Sequence, residues 1–568
     1  MESAINKILA QETPLLLACQ KAKTSETAKY LINYPECQVD AEDNDGDSAL
    51  HCASRRGHTD IIKILLDRDL SLLNKRNKRG DTPLHLAFYS GNCDAVKELL
   101  TTIGCQIDAE NNDGNSALHY ASWQGHTDII KILLDRDLSL LNKQNKYGVT
   151  PLHLASDHGK CDAVKELLTT FGCQVDAENN FRESALHCAS RRGHTDIIKI
   201  LLDRDLTLLN KQNKRGETPL HLASDNGKCD AVKELLTTIG CQIDAENNDG
   251  ESALHYASRR GHTDIIKILL DRDPSLLNKQ NKDGETPLHL ASDYGKCDAV
   301  KELLNNNECQ VDAETNGGYS ALHYASQWGH TDIIKILLDR DPSLLNKQNK
   351  IGETPLHLAS CNGKCDAVKE LLNNNKCQVD AEDNNGDTAL HVASERGHID
   401  IIKILLERDL TLPNKQNKEG KTPIQIACEY DRTDTLKHLL EYQECSVGVA
   451  DNDGKTALHH SAKNGNVDIT EMLLERDHTL LNIKDEEDPE LFNKTNDAGE
   501  TPLHKAVLVA DHESVKQLIK FGAEVNIKDN NGNTPLSIAN KMSEFEERNI
   551  EKYLADSTAV SYINNDKF

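Results

Sequence analysis

Twenty-four histidines and seventeen cysteines are the residues of this chain best equipped for chemistry, and their spacing decides which chemistry is open to them. Thirteen histidines follow a leucine or stand in its diverged copy, in one slot that runs from His51, His85 and His119 to His504. Six more occupy the string G-H-(T/I)-D, at His58, His126, His194, His262, His330 and His398. General acid–base catalysis needs a histidine at one place, poised against a substrate. A histidine reiterated along the chain answers a need that recurs with the fold instead. The sequence holds no G-x-S-x-G nucleophile turn, no G-x-x-x-x-G-K-(S/T) phosphate loop and no G-x-G-x-x-G turn after a strand. No catalytic residue and no cofactor are assigned.

The cysteines are reiterated too. Five lie in G-(K/N)-C-D-A-V (Cys93, Cys161, Cys229, Cys297, Cys365) and six precede Q-(V/I)-D-A-E (Cys37, Cys105, Cys173, Cys241, Cys309, Cys377). Cys445 takes the second slot in a diverged copy, and the others stand where a small apolar residue would serve. Their total is odd. Reduced, mostly buried thiols in a reducing, cytoplasmic setting are expected, not a disulfide scaffold. The best metal-ligand set is His357, Cys361 and Cys365, where one copy adds a second cysteine. A structural zinc site needs four tetrahedral ligands, no fourth is indicated, and Gly363 interrupts the helix between the thiols. A partly exposed Cys361 beside a buried Cys365 is expected there, and no metal is assigned.

The formal charge is −27, from 65 Lys and Arg against 92 Asp and Glu. Non-specific phosphate binding needs clustered positive charge, so no nucleic-acid partner is expected. Apolar residues reach 38 % and charged residues 28 %, too rich a mixture for a disordered chain. With aromatics at 4 %, large cores built on Phe and Trp are not expected. No window approaches the ~18 apolar residues of a membrane span. The opening MESAINKILAQE lacks a basic stretch followed by an apolar one, so neither membrane insertion nor secretion is expected.

What must position the histidines is a repeat. The segment (T/S)-(P/A)-L-H-x-A, in places degenerate, starts sixteen times, from Thr13 and Ser48 to Thr501 and Thr534. Its spacing is 34 residues for twelve consecutive steps from Ser48 to Thr456, and two versions alternate. Ser or Thr is a good N-cap and Pro suits the first helical position, so TPLH opens a helix that ends at Gly57, Gly91, Gly125 and their counterparts. Asp60 to Leu66 then pairs Ile61 with Leu65 and Ile62 with Leu66, an apolar stripe on a second, antiparallel helix. Polar runs such as DAENNDG and NKQNKYG read as exposed turns. One such helical pair cannot bury its apolar faces alone, but stacked neighbours can.

These TPLHxA, G-H and D-x-x-G elements closely resemble the ankyrin repeat family, over residues 12–540. The resemblance implies an all-α, elongated and curved solenoid of about sixteen stacked helix-turn-helix repeats. It also implies that the repeated histidines hydrogen-bond turn and helix-start groups. Some positions depart from the pattern. Leu16 replaces the first signature His, Leu70, Leu138 and Leu206 replace a helix-ending Gly, and Asp431-Arg-Thr lacks the inter-helix Gly. Local geometry is in question at these points. The expected organisation is a capping repeat at 1–47, regular repeats at 48–482, an acidic insertion at 483–493, further repeats at 494–540, and a capping helix with a loose tail at 541–568.

Function should show where near-identical repeats differ. The two residues before the helix-ending Gly are Arg55-Arg56, Trp123-Gln124, Arg191-Arg192, Arg259-Arg260 and Gln327-Trp328 in one version. In the other they include Tyr89, Asp157-His158 and Asp293-Tyr294, and Tyr319 follows a turn Gly. Family resemblance places these positions on the concave groove of turn tips and first helices, the usual partner-contact surface. Unconstrained drift would leave small polar residues, as at Asp225-Asn226; both Trp of the chain fit that poorly. Exposed Trp, Tyr and Arg are the side chains enriched in interface hot spots. A charge pattern tempers the arginines: acidic turns precede Arg pairs and basic turns precede Asp pairs, so self-neutralisation within each repeat competes with partner contact.

The reading is a monomeric, non-catalytic scaffold or adaptor whose partners are other proteins. The alternatives are an elastic or cytoskeletal linker and, remotely, a metal protein or enzyme built around 357–365.

Overall fold

The computed structural model describes residues 13–21, 25–464, 466–476, 493, 495–496, 498–508, 512–520, 523–541, 550 and 554–555. The chain divides into two compact units, 1–282 and 283–568, and each is a stack of short antiparallel helical pairs. No regular strand occurs among the described residues; isolated bridges join Glu42 to Ser48 and Glu110 to Ser116. Of the insertion expected at 483–493 only Asn493 is described, and most of the tail lies outside the described residues.

The repeat in residues 48–80 shows why this sequence folds as it does. Ser48 is extended at φ −82°, and the first helix is Ala49–Arg56. Gly57 ends it at φ +74°, a conformation a β-carbon disfavours, and turns the chain back. The second helix, Thr59–Arg68, buries Ile61, Ile62, Leu65 and Leu66. Each such side chain contributes roughly 1.5–3 kcal/mol when fully removed from water. Asp69 then accepts the N–H of Ser71 and starts a 3-10 turn, Leu70–Asn74. Leu70 is thus the first residue of a new turn, which is why no helix-ending Gly is required there.

Turns are strung together by backbone bonds between repeats. Lys78 N–H donates to Asp45 O at 3.0 Å, Asn112 N–H to Arg79 O at 2.9 Å, and Lys146 N–H to Asp113 O at 2.9 Å. Within most turns an Asn or Asp side chain holds the loop shut: Asn77 Oδ1 accepts from Arg79 N–H and Asp81 N–H, both at 2.9 Å, and Thr315 takes this part for Tyr319 N–H at 3.1 Å.

The departures from the pattern are accommodated locally. Asp431 takes the inter-helix position with φ +57°, and Arg182 stands in for a turn Gly with φ +59°. Both accept the left-handed backbone that Gly adopts elsewhere, at some cost in strain. Gln425 replaces the signature His and reproduces its bonds, accepting Thr422 N–H at 2.7 Å and donating to Lys455 O at 2.9 Å.

Candidate partner-binding face

The signature histidines are structural ties. His187 Nδ1 accepts the N–H of Ser184 at 3.1 Å, which leaves the proton on Nε2, and Nε2 donates to Glu217 O at 3.2 Å in the next repeat. The same pair of bonds recurs at His51, His119, His153 and His357. Burial favours the neutral ring and pushes the His119, His187, His221, His289, His323 and His391 pKa values down to about 4. Four of the second set reach backward, the fourth being His398 to Cys361 O. His194 Nε2 contacts Asp157 O, His262 contacts Asp225 O and His330 contacts Asp293 O, each at 3.1 Å. With both ring nitrogens committed, His51, His119, His153, His187 and His357 join repeats, as the resemblance implied.

The charged candidates are largely spent inside the stack. Arg55 pairs with the buried Asp47, Arg191 with Glu183 and Arg259 with Glu251, in each case the acid eight positions earlier at the turn of its own repeat. Arg192 Nε lies 3.0 Å from Asp157 Oδ1, and Arg260 Nε lies 2.8 Å from Asp225 Oδ1, so the second Arg of each pair crosses to the preceding repeat. This corrects the expectation that Asp157 answers its own basic turn. Lys143 instead reaches back to Glu110 at 2.9 Å and to Asp108 O at 2.9 Å. Arg56 is exposed, and the residue one step before it in the ladder is Lys21 where Asp157 and Asp225 stand in later repeats.

The aromatic candidates behave differently from one another. Trp123 is half-buried, edge-on to Tyr89 at 5.6 Å and to His158 at 5.5 Å, and 6.2 Å from Tyr120. Tyr120 in turn lies 5.6 Å from His85. These rings come from three successive repeats. Tyr120, Trp123 and His158 line a cavity of about 750 Å³ whose lining also includes Lys78, Arg79, Asp113, Tyr147 and Leu154. Gln124 sits half-buried beside Trp123. Trp328 belongs to the second unit and is 50 % exposed, its indole N–H donating to Asp293 Oδ1 at 2.6 Å. Tyr294, next to Asp293, is also exposed, whereas Gln327 is half-buried. Tyr319 leans on Tyr324 at 5.7 Å, and burial together with Glu353 pushes its phenol up.

Sequence reasoning passed over Tyr120, Tyr256 and Tyr324. Each follows a signature His and reaches an acid of the previous repeat: Tyr120 to Asp81 at 2.9 Å, Tyr256 to Glu217 at 2.8 Å and Tyr324 to Glu285 at 3.0 Å. The signal was available, since Cys52 and Cys188 occupy the same slot with no such reach.

The metal set is not assembled. His357 holds Thr354 N–H and Asp387 O, and no group of three or more ligating side chains with metal-site geometry occurs among the described residues. Cys365 is half-buried, not buried, because it opens its helix, Cys365–Leu372, at the chain surface. The five cysteines of that slot are alike in this, and seven others, Cys188 among them, are buried. Burial pushes the Cys188 thiol up to about 12. A second cavity, of about 480 Å³, is rich in lysine but neutralised. Lys421 lies 2.8 Å from both Glu419 and Glu429, and Lys505 pairs with Glu500.

The family model for ankyrin repeats (3 copies) matches in overlapping blocks from residues 2–75 to 478–565. The chain therefore belongs to the ankyrin repeat family, and its fold is the all-α solenoid of that family. Ankyrin repeats are generally protein–protein interaction modules. Comparison with curated proteins gave no match. No helix among the described residues is long and apolar enough to cross a membrane.

Proposed function

We propose that this chain is a non-catalytic scaffold that binds other proteins on the face made by its turns and first helices, with Trp123 as the principal anchor of the first unit. One observation carries the reading. Tyr89, Trp123 and His158 sit before successive helix-ending glycines and meet edge to edge across three repeats, and Trp123 and His158 line one cavity. Drift at unrelated positions has no reason to converge. An amphipathic aromatic cluster beside Lys78 and Arg79 suits a peptide segment carrying an apolar anchor and a carboxylate. Trp328 supplies a second, more exposed aromatic contact in the other unit.

The linker alternative draws support from the ladder of Arg192 to Asp157 and Arg260 to Asp225, which ties repeats together on this same face. Proximity labelling with the full chain and with its Trp123→Ala variant separates the two readings. The scaffold reading expects a defined subset of labelled proteins to disappear with the variant while helicity is kept; an unchanged set favours the linker.

A further inference from the structure

Away from the turn face, the far ends of the second helices carry apolar side chains that the repeat does not need for its core. Ile103 is 90 % exposed, Phe171 91 % and Ile239 89 %, and Leu70, Leu138 and Leu206 alternate with them at about half exposure. The six recur at alternating steps of 33 and 35 residues, one per repeat, all within the first unit. Contacts between repeats hold them along one edge. Asn74, at the end of the turn begun by Leu70, donates to Gly104 O at 2.8 Å beside Ile103. Asn142 does the same to Gly172 O beside Phe171, and Asn210 to Gly240 O beside Ile239, both at 2.7 Å. Arg136, two residues before Leu138, donates to Leu100 O at 2.7 Å. A β-carbon placed on Gly104, Gly172 or Gly240 meets nothing within 4 Å, so the edge faces open space.

The row is then interrupted. The next positions in order are Pro274 and Asn307, then Pro342 and Asn375, before the exposed Leu410. Asn307 and Asn375 accept hydrogen bonds from Arg340 and Arg408, each at 3.2 Å. The same local fold therefore accepts Asn at the site of Ile103, and the apolar residues are not imposed by packing.

The electrostatics of the edge indicate what covers it. The second helices Thr59–Arg68, Thr127–Arg136 and Thr195–Arg204 point their C-terminal ends here, and those ends carry partial negative charge. Asp67, Asp135 and Asp203 add exposed carboxylates in the last turns, and no ion pair joins any of them among the described residues. Each of these helix ends reads Asp-Arg-Asp (Asp67-Arg68-Asp69, Asp135-Arg136-Asp137, Asp203-Arg204-Asp205), so two carboxylates stand against one guanidinium, and Arg68 and Arg136 donate to backbone carbonyls. Six exposed apolar side chains, one per repeat along one edge, are what an interaction surface requires. Its negative border opposes a second copy of this −27 chain and an anionic lipid surface alike.

We propose that the edge from Leu70 to Ile239 is a second docking surface, separate from the turn face, whose occupant is a cationic amphipathic protein segment with apolar side chains flanked by Lys and Arg. The test uses the full chain and a labelled 18-residue helical peptide of Leu and Lys, with a Leu and Glu peptide as its charge-reversed counterpart. The triple variant Ile103→Asn, Phe171→Asn, Ile239→Asn leaves net charge unchanged and should weaken binding of the Lys peptide at least tenfold. Asp67→Asn, Asp135→Asn, Asp203→Asn together should weaken it severalfold, Trp123→Ala should not, and the Glu peptide should not bind. Equal binding of the Lys peptide to wild type and the triple Asn variant overturns the proposal. So does a dimer of the wild type that the triple variant abolishes in sedimentation, which would make the edge a self-interface. Flotation with phosphatidylcholine–phosphatidylserine vesicles that the triple variant loses would assign it to membrane and likewise overturn the proposal.

Discussion

The indole N–H of Trp328 donates to Asp293 at 2.6 Å, in the ladder position where Arg192 meets Asp157 and Arg260 meets Asp225. A tryptophan has replaced an arginine and kept the contact between repeats. Trp328→Arg is therefore expected to restore the ladder and to hold stability within about 0.5 kcal/mol, since it is a surface change that retains its partner. Thermal unfolding checks this. A drop in midpoint of many degrees would show that the ring supports the fold.

The buried histidines make stability acid-sensitive. An unfolded His titrates near 6.5, whereas burial holds His119, His187, His221, His289, His323 and His391 near 4. Between those values the unfolded chain binds more protons than the folded one, so stability is full above pH 6.5 and falls as pH drops toward 4. Urea midpoints measured from pH 8 to 4 should be flat at first and then decline steeply. Gln425 already performs the histidine's task, so His221→Gln should lessen the decline at little cost at pH 7.5.

Arg182 holds a left-handed backbone at φ +59° in a turn position that Gly occupies in neighbouring repeats, and its side chain, itself exposed, reaches the half-buried Glu178 at 3.5 Å. Arg182→Gly should stabilise the first unit by about 1 kcal/mol, the cost of that conformation for a side-chain-bearing residue. A denaturant midpoint unchanged or lowered would refute this.

Leu201, fully buried in the second helix Thr195–Arg204, touches only its own and neighbouring repeats in a stack of this kind. Leu201→Ala should cost roughly 2–5 kcal/mol and destabilise its neighbourhood first. Hydrogen exchange should then rise around residues 185–240 before distant repeats respond. Uniform loss of protection along the chain would contradict a nearest-neighbour architecture.

Much of this was legible because each repeat writes its own punctuation. Thr150-Pro151 announces a helix start and Gly125 a helix end, and the 34-residue period brings like residues together. Pairings one repeat apart were harder to read. Asp157 meets Arg192 at a separation of 35, not within its own turn, because the residue immediately before Gly193 leans toward the preceding repeat. The two Trp occupy different members of their pairs, so Trp123 turns into a ring cluster while Trp328 lies along the ladder. Nothing in the residue types of Ile103 and Phe171 sets them apart from the core residues Leu100 and Leu168, three positions earlier; only their exposure does.

The central claim is that the turn face binds protein through Trp123. The direct measurement is the dissociation constant of a protein recovered with the full chain, compared among wild type, Trp123→Ala and Lys131→Ala, a change on the exposed side of a second helix. With helicity equal in all three, Trp123→Ala should weaken binding by about 1–3 kcal/mol, or roughly five- to 150-fold, while Lys131→Ala stays near wild type. Unchanged affinity in the Trp123→Ala variant would contradict the account.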